Sequence, residues 1–92
     1  MIGKCDVCGK EEEIYVRSST MGAISFAYCK DCLQKGLEPY NAVVAYISCV
    51  GRFPDDINEN YQNYVRNILK ELGISEEQFI KDVDKMNAEY PY

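Results

Sequence analysis

The pattern of apolar and polar positions predicts two short strands in the first third of the chain. Residues 14–16 and 23–28 are rich in β-branched and aromatic side chains, which favour extended structure. The residues between them, 18–22, are small or polar and typical of a turn. These segments together predict a β-hairpin over residues 13–28.

Helical spacing begins after the hairpin. Residues 29–35 predict one or two helical turns that end at Gly36. Pro39 is suited to the first turn of a new helix, and the apolar residues that follow it recur at helical spacing as far as Val50. We expect this second helix to be buried on most sides, with Cys49 as a buried structural residue.

The last third of the chain predicts an antiparallel helix pair. Apolar residues over 55–72 form one helical stripe, and Asp56 with Glu59 resembles a capping box at its start. Gly73 occupies the position of a left-handed C-cap. A second stripe over 75–90 follows after a very short connection.

Four cysteines carry the strongest chemical signal. They form two Cys-x-x-Cys pairs, Cys5/Cys8 and Cys29/Cys32, separated by twenty residues. Two thiolates three residues apart can bind the same ion from one turn, and a returning hairpin brings the second pair to complete a tetrahedron. This spacing predicts one structural metal ion bound by four sulfurs, and soft thiolates favour zinc.

Residues 3–50 resemble a treble-clef or zinc-ribbon-like four-cysteine zinc module. The segment Cys5–Gly9 matches its zinc knuckle, and Tyr28–Leu33 matches the helix start that carries the second cysteine pair. The resemblance implies a hairpin and a helix around one zinc ion. It does not imply one function, because such modules serve in ribosomal proteins, nucleases, ubiquitin-pathway factors and adaptors. The chain lacks the histidines of the nuclease branch and the second ligand set of RING-type modules.

These observations predict an α+β fold in which a small zinc-stabilised β-hairpin and helix precede a C-terminal antiparallel helix pair. We place the four-cysteine module and the apolar helix in residues 1–51. We place the helical hairpin in residues 52–92 and expect it to pack on the module as one compact unit.

Three other interpretations of the thiols stay open. Four sulfurs also suit iron in a rubredoxin-like electron-transfer site, although Leu33 stands where that family has glycine. Cys29 and Cys32 at a helix start resemble a thioredoxin-like redox pair, but the flanking βαβ pattern is missing. The cysteines could also be unrelated buried residues.

Composition and charge exclude some classes of function. The 92-residue chain has a net charge of −5 and no histidine, so chemistry that needs an imidazole base is excluded. Residues 37–92 carry ten acidic and five basic side chains, whereas residues 1–36 are balanced. A closed four-cysteine site leaves no position for a catalytic water. We therefore predict that the protein is not an enzyme.

The favoured function is a protein-binding, regulatory or inhibitory module. The candidate partner surface consists of acidic and aromatic residues: Asp55, Asp56, Glu59, Tyr61 and Tyr64. The alternative is nucleic-acid binding through the basic residues of the cysteine half, which are Lys4, Lys10, Arg17, Lys30 and Lys35. The acidic balance opposes it, because affinity for phosphate backbones comes mainly from lysine and arginine.

The expected location is the cytoplasm. The chain shows neither a signal segment nor an apolar stretch long enough to span a membrane, and paired cysteines in a reducing compartment favour metal over disulfides. A short, acidic, single-metal protein would also suit a phage or mobile-element accessory role.

Overall fold

A computed structural model describes residues 1–89, so Tyr90, at the end of the last predicted helix, lies outside the described residues. The chain divides into two compact units, residues 1–42 and residues 43–92. Within residues 1–89, no helix combines the length and apolar character needed to cross a membrane.

The first unit contains a three-stranded antiparallel sheet in the order β1-β2-β3. The strands are β1 (Ile2–Lys4), β2 (Glu11–Ser18) and β3 (Ser25–Cys29). The predicted hairpin is confirmed as the β2–β3 pair, in which Tyr15 lies opposite Tyr28. Strand β1 was not predicted, because three residues next to a turn give no alternating pattern.

A buried carboxylate organises the end of this unit. Glu38 is 5% exposed. It accepts hydrogen bonds from Ser19 Oγ at 2.9 Å and Tyr28 Oη at 2.6 Å. It also accepts bonds from the backbone nitrogen and the hydroxyl of Thr20, at 3.3 and 3.0 Å. These four bonds join the β2–β3 turn, strand β3 and the segment before the next helix.

The remaining elements are helices. The first unit contains the short helix α1 (Lys30–Lys35), and Gly36 ends it in the left-handed conformation as predicted. Helix α2 (Tyr40–Val50) begins directly after Pro39, and the division between the two units lies inside it. The second unit continues with α3 (Glu59–Leu72) and α4 (Glu76–Glu89).

The core of the second unit is built from one apolar stripe on each helix. Its most deeply buried side chains are Val43, Ile47, Val65, Ile68, Phe79 and Val83. Phe53 from the α2–α3 connection packs edge-on against Phe79, with ring centroids 5.1 Å apart. The helical spacing predicted for these three segments is confirmed.

The start of α3 differs from the prediction. The helix begins at Glu59, where Asn58 is the N-cap and accepts a hydrogen bond from Tyr61 N at 2.9 Å. The predicted capping box is therefore wrong. Asp56 instead accepts a bond from Arg52 N at 2.8 Å, because it lies in a tight turn of the connection.

The other end of α3 matches the prediction. Gly73 has φ 73°, and its amide donates to Lys70 O while the next amide, of Ile74, donates to Leu69 O. This pair of bonds is a Schellman motif. Ser75 then caps α4 by accepting from Gln78 N at 3.1 Å.

The predicted burial of Cys49 is wrong. Helix α2 buries Val43, Val44 and Ile47, whereas Cys49 and Val50 are exposed. At 100° per residue, Cys49 lies on the side of the helix opposite this buried face. Val50 continues the line of Val43 and Ile47, but it is the last residue of the helix and is 50% exposed.

Candidate metal centre

Three neighbouring elements bring together the four cysteines that are predicted to bind a metal ion. Cys5 and Cys8 lie in the turn between β1 and β2, Cys29 is the last residue of β3, and Cys32 lies in the first turn of α1. All four sulfur atoms lie within 4.8 Å of one another. The sequence spacing and the hairpin therefore place the two pairs as expected.

The sulfur spacing fits a tetrahedral ion. With metal–sulfur bonds of about 2.3 Å, the edge of a tetrahedron is about 3.8 Å. The Sγ atoms of Cys8 and Cys29 are 3.8 Å apart. A disulfide would need a sulfur–sulfur distance of about 2.05 Å. The donor set thus suits one tetrahedral metal ion such as zinc.

The turn that carries Cys5 and Cys8 is fastened to strand β3. Asp6 N donates to Ala27 O at 2.9 Å, and Asp6 Oδ2 accepts from Ala27 N at 2.8 Å. This reciprocal pair fixes the turn two residues before Cys29. The first cysteine pair therefore keeps its position relative to the second.

Two backbone amides point at the sulfur of Cys5. Val7 N lies 3.4 Å and Cys29 N 3.3 Å from Cys5 Sγ. Gly9 reverses the chain with φ 78°, a conformation that favours glycine. Such amide dipoles offset the negative charge that four thiolates place around one divalent ion.

The thiols differ in how readily they ionise. Burial opposes ionisation of Cys5, but hydrogen bonds from three backbone amides and from the Cys8 side chain outweigh it and lower the pKa of Cys5 to about 7. A backbone hydrogen bond from Lys10 favours ionised Cys8, but burial and the side chains of Cys5 and Cys29 outweigh it and raise the pKa of Cys8. Burial and the neighbouring thiols also raise the pKa of Cys32. Metal binding must displace the protons that these thiols hold.

A four-sulfur site of this kind is complete. Each cysteine offers one ligand atom, and four ligands fill a tetrahedron. Cys5, Cys29 and Cys32 are buried, whereas Cys8 is exposed. Cys8 is therefore the most solvent-exposed residue of the site.

Comparison of the chain with family models, curated proteins and solved structures gives no match. The class of protein is therefore defined by its own fold and site: a small α+β protein with a four-cysteine cluster placed to bind a metal ion.

The predicted partner-surface residues all belong to the second unit. Asp55 and Asp56 lie in the connection before α3, and Glu59 is its first residue; all three are exposed. Tyr61 and Tyr64 are half-buried, and their rings stack at 6.0 Å. Their role in binding stays a prediction.

Sequence reasoning missed three residues near these sites. Asp6 fastens the cysteine turn and Glu38 joins the surrounding segments. Tyr46 on α2 stacks on Tyr61 with ring centroids 5.7 Å apart. Only Asp6 left a signal, because aspartate in a turn commonly bonds backbone amides.

Proposed function

We propose that this protein is a non-enzymatic zinc protein that acts by binding another protein, as a regulatory or inhibitory module. The observation that carries the zinc assignment is the cluster of four sulfur atoms within 4.8 Å. Zinc in a complete four-cysteine site stabilises the fold and offers no open position for a substrate.

A treble-clef-like assignment fits the order of the elements in the first unit. A cysteine turn is followed by the β2–β3 hairpin and by α1, whose first turn carries Cys32. Leu33 within α1 differs from the glycine-containing second turn of a rubredoxin-like iron site. The reduced thiols are suited to a reducing compartment such as the cytoplasm.

The metal assignment is tested by elemental mass spectrometry on untagged protein, together with a count of reactive thiols. We expect one zinc ion per chain and at most one reactive thiol, the exposed Cys49. Finding iron instead of zinc would indicate an electron-transfer site and not a structural one. Finding no metal together with a Cys29–Cys32 disulfide would indicate a thiol redox role.

Charge and side-chain chemistry support a protein partner. The partner surface combines three exposed carboxylates, Asp55, Asp56 and Glu59, with half-buried tyrosines. No salt bridge within residues 1–89 involves these carboxylates. No basic side chain within residues 1–89 therefore neutralises them, although Asp56 accepts a backbone hydrogen bond from Arg52 N. Such exposed negative charge suits a basic partner, and tyrosine is common among the residues that dominate protein interfaces.

The interaction is tested by charge reversal. We expect replacement of Asp55, Asp56 and Glu59 by lysine to abolish capture of the partner while circular dichroism and zinc content stay unchanged. The matched control reverses three exposed acidic residues elsewhere and changes net charge equally: Glu11, Asp31 and Asp84. Equal capture by both variants would contradict the assigned surface.

A mobility-shift assay separates this function from nucleic-acid binding. We expect no shift of duplex DNA or RNA at low salt, because the chain is acidic. A shift that weakens steeply as salt is raised would favour nucleic acid instead.

A further inference from the structure

We propose that a groove in the second unit receives an arginine or lysine side chain of the partner protein. This inference rests on the protein-binding function proposed above and identifies the group that the surface recognises. We call the site the tyrosine groove. It is lined by Tyr46, Ile47, Val50, Asp56, Ile57, Asn58 and Tyr61.

The size of the tyrosine groove suits one side chain. Its volume is about 280 Å³, whereas pockets for drug-sized ligands span about 300–1,000 Å³. Val50, which is half-exposed, leaves apolar surface in contact with solvent. An occupant with an aliphatic stem would remove that surface from water.

The floor and wall of the groove are apolar and firmly held. Ile47 and Ile57 are buried and form the floor. The rings of Tyr46 and Tyr61 lie 5.7 Å apart with an interplanar angle of 20°, and Tyr61 also stacks on Tyr64. A stack of three rings loses little conformational entropy on binding, because each ring has only two side-chain torsions.

Asp56 is the charged residue of the groove lining and decides the charge of the occupant. Asp56 is exposed, and its Oδ2 atom accepts a hydrogen bond from Arg52 N at 2.8 Å. Asp55 and Glu59 add negative charge within three residues. A carboxylate beside an apolar floor favours a side chain with an aliphatic stem and a cationic head, because the stem packs while the head reaches the carboxylate. An acidic occupant would be repelled.

The probe that tests this inference is n-butylguanidinium, compared with n-butylurea, which has the same shape and no charge. Each is titrated into the zinc-loaded, ¹⁵N-labelled full chain, and amide chemical shifts are followed. We expect butylguanidinium to shift the amides of the tyrosine groove with a dissociation constant in the millimolar range. Butylurea should bind about three- to fivefold more weakly, because it cannot form an ion pair and one exposed ion pair usually contributes about this factor to affinity.

Two variants assign the charge contact. Asp56→Asn keeps the acceptor for Arg52 N and should lower butylguanidinium affinity by about three- to fivefold. Asp55→Asn makes the same change in net charge next to the groove, at a residue that does not line it. It should leave the affinity within about twofold.

Four results would overturn the inference. These are no shifts up to 50 mM probe (roughly tenfold above a dissociation constant of about 5 mM), equal affinity for the two probes, equal losses in the two variants, or shifts confined to other residues. Concentration-dependent self-association that protects the groove amides would assign the site to a second copy of the chain instead.

The inference and the proposed function can fail separately. If butylguanidinium does not bind but charge reversal still abolishes partner capture, the interaction stands and the groove assignment falls. If the probe binds and the charge-reversed protein still captures its partner, the groove binds a cationic group but the partner does not use it, and the partner surface lies elsewhere.

Discussion

Replacing the buried Glu38 by alanine should destabilise the first unit without touching a metal ligand. The carboxylate accepts four hydrogen bonds, from Ser19, Tyr28 and two groups of Thr20. Alanine would leave these donors without their acceptor. Water could reach the exposed Thr20, but Ser19 and Tyr28 are buried.

The magnitude follows from the two buried donors. Each buried group left unsatisfied costs about 1–3 kcal/mol. Since the losses are not additive and the site can relax, we expect a total loss of about 3–5 kcal/mol in the free energy of unfolding. For a domain of this size, each kcal/mol lost lowers the melting temperature by roughly 4–8 °C.

Two further variants make the reasoning quantitative. Glu38→Gln keeps the size and one acceptor oxygen, and the hydroxyls can turn to accept from the amide, so we expect a smaller loss of about 1–2 kcal/mol. Tyr28→Phe removes the shortest bond and should cost a similar amount. A double-mutant cycle between Glu38→Gln and Tyr28→Phe should give a coupling energy above about 0.5 kcal/mol.

The assay is urea unfolding of zinc-loaded protein, followed by circular dichroism. The control is Glu11→Ala, which removes an exposed carboxylate from β2 and should change stability by less than about 0.5 kcal/mol. If Glu38→Ala also lies within 1 kcal/mol of the parent (roughly one unsatisfied donor), the carboxylate does not hold these segments together. Each variant must bind one zinc ion for the comparison to be valid.

Three further predictions concern the metal and the helix ends. Removing the metal with a chelator should unfold the first unit and lower β-sheet circular dichroism; an unchanged spectrum would show that the cysteines are not a structural site. Binding of zinc at pH 7 should release more than one proton, because the raised pKa values of Cys8 and Cys32 keep their thiols protonated in the metal-free protein. Affinity should therefore rise with pH, which calorimetry in buffers of different ionisation enthalpy would check. Asn58→Ala should cost about 1 kcal/mol by removing the cap of α3, whereas Asp55→Ala should cost less than about 0.5 kcal/mol in the same urea assay.

The sequence alone determined the features that depend on spacing. Two Cys-x-x-Cys pairs joined by a hairpin can converge on one ion, and the structure places their sulfurs within 4.8 Å. The helical stripes and the stop at Gly73 were equally readable, because 3.6-residue periodicity and a left-handed glycine are local properties.

Only the tertiary structure decided what surrounds those features. The sequence predicted Asp56 as the cap of α3, but a backbone amide of the connection, Arg52 N, engages the Asp56 carboxylate, and Asn58 caps the helix instead. The apolar sequence of α2 predicted a buried helix. The last residues of the helix are nevertheless exposed, because burial depends on which other elements pack against them. No local sequence pattern predicts the hydrogen-bonding role of Glu38. Its four donors come from positions 10 to 19 residues away, and contacts between such distant residues are fixed by packing and not by sequence periodicity.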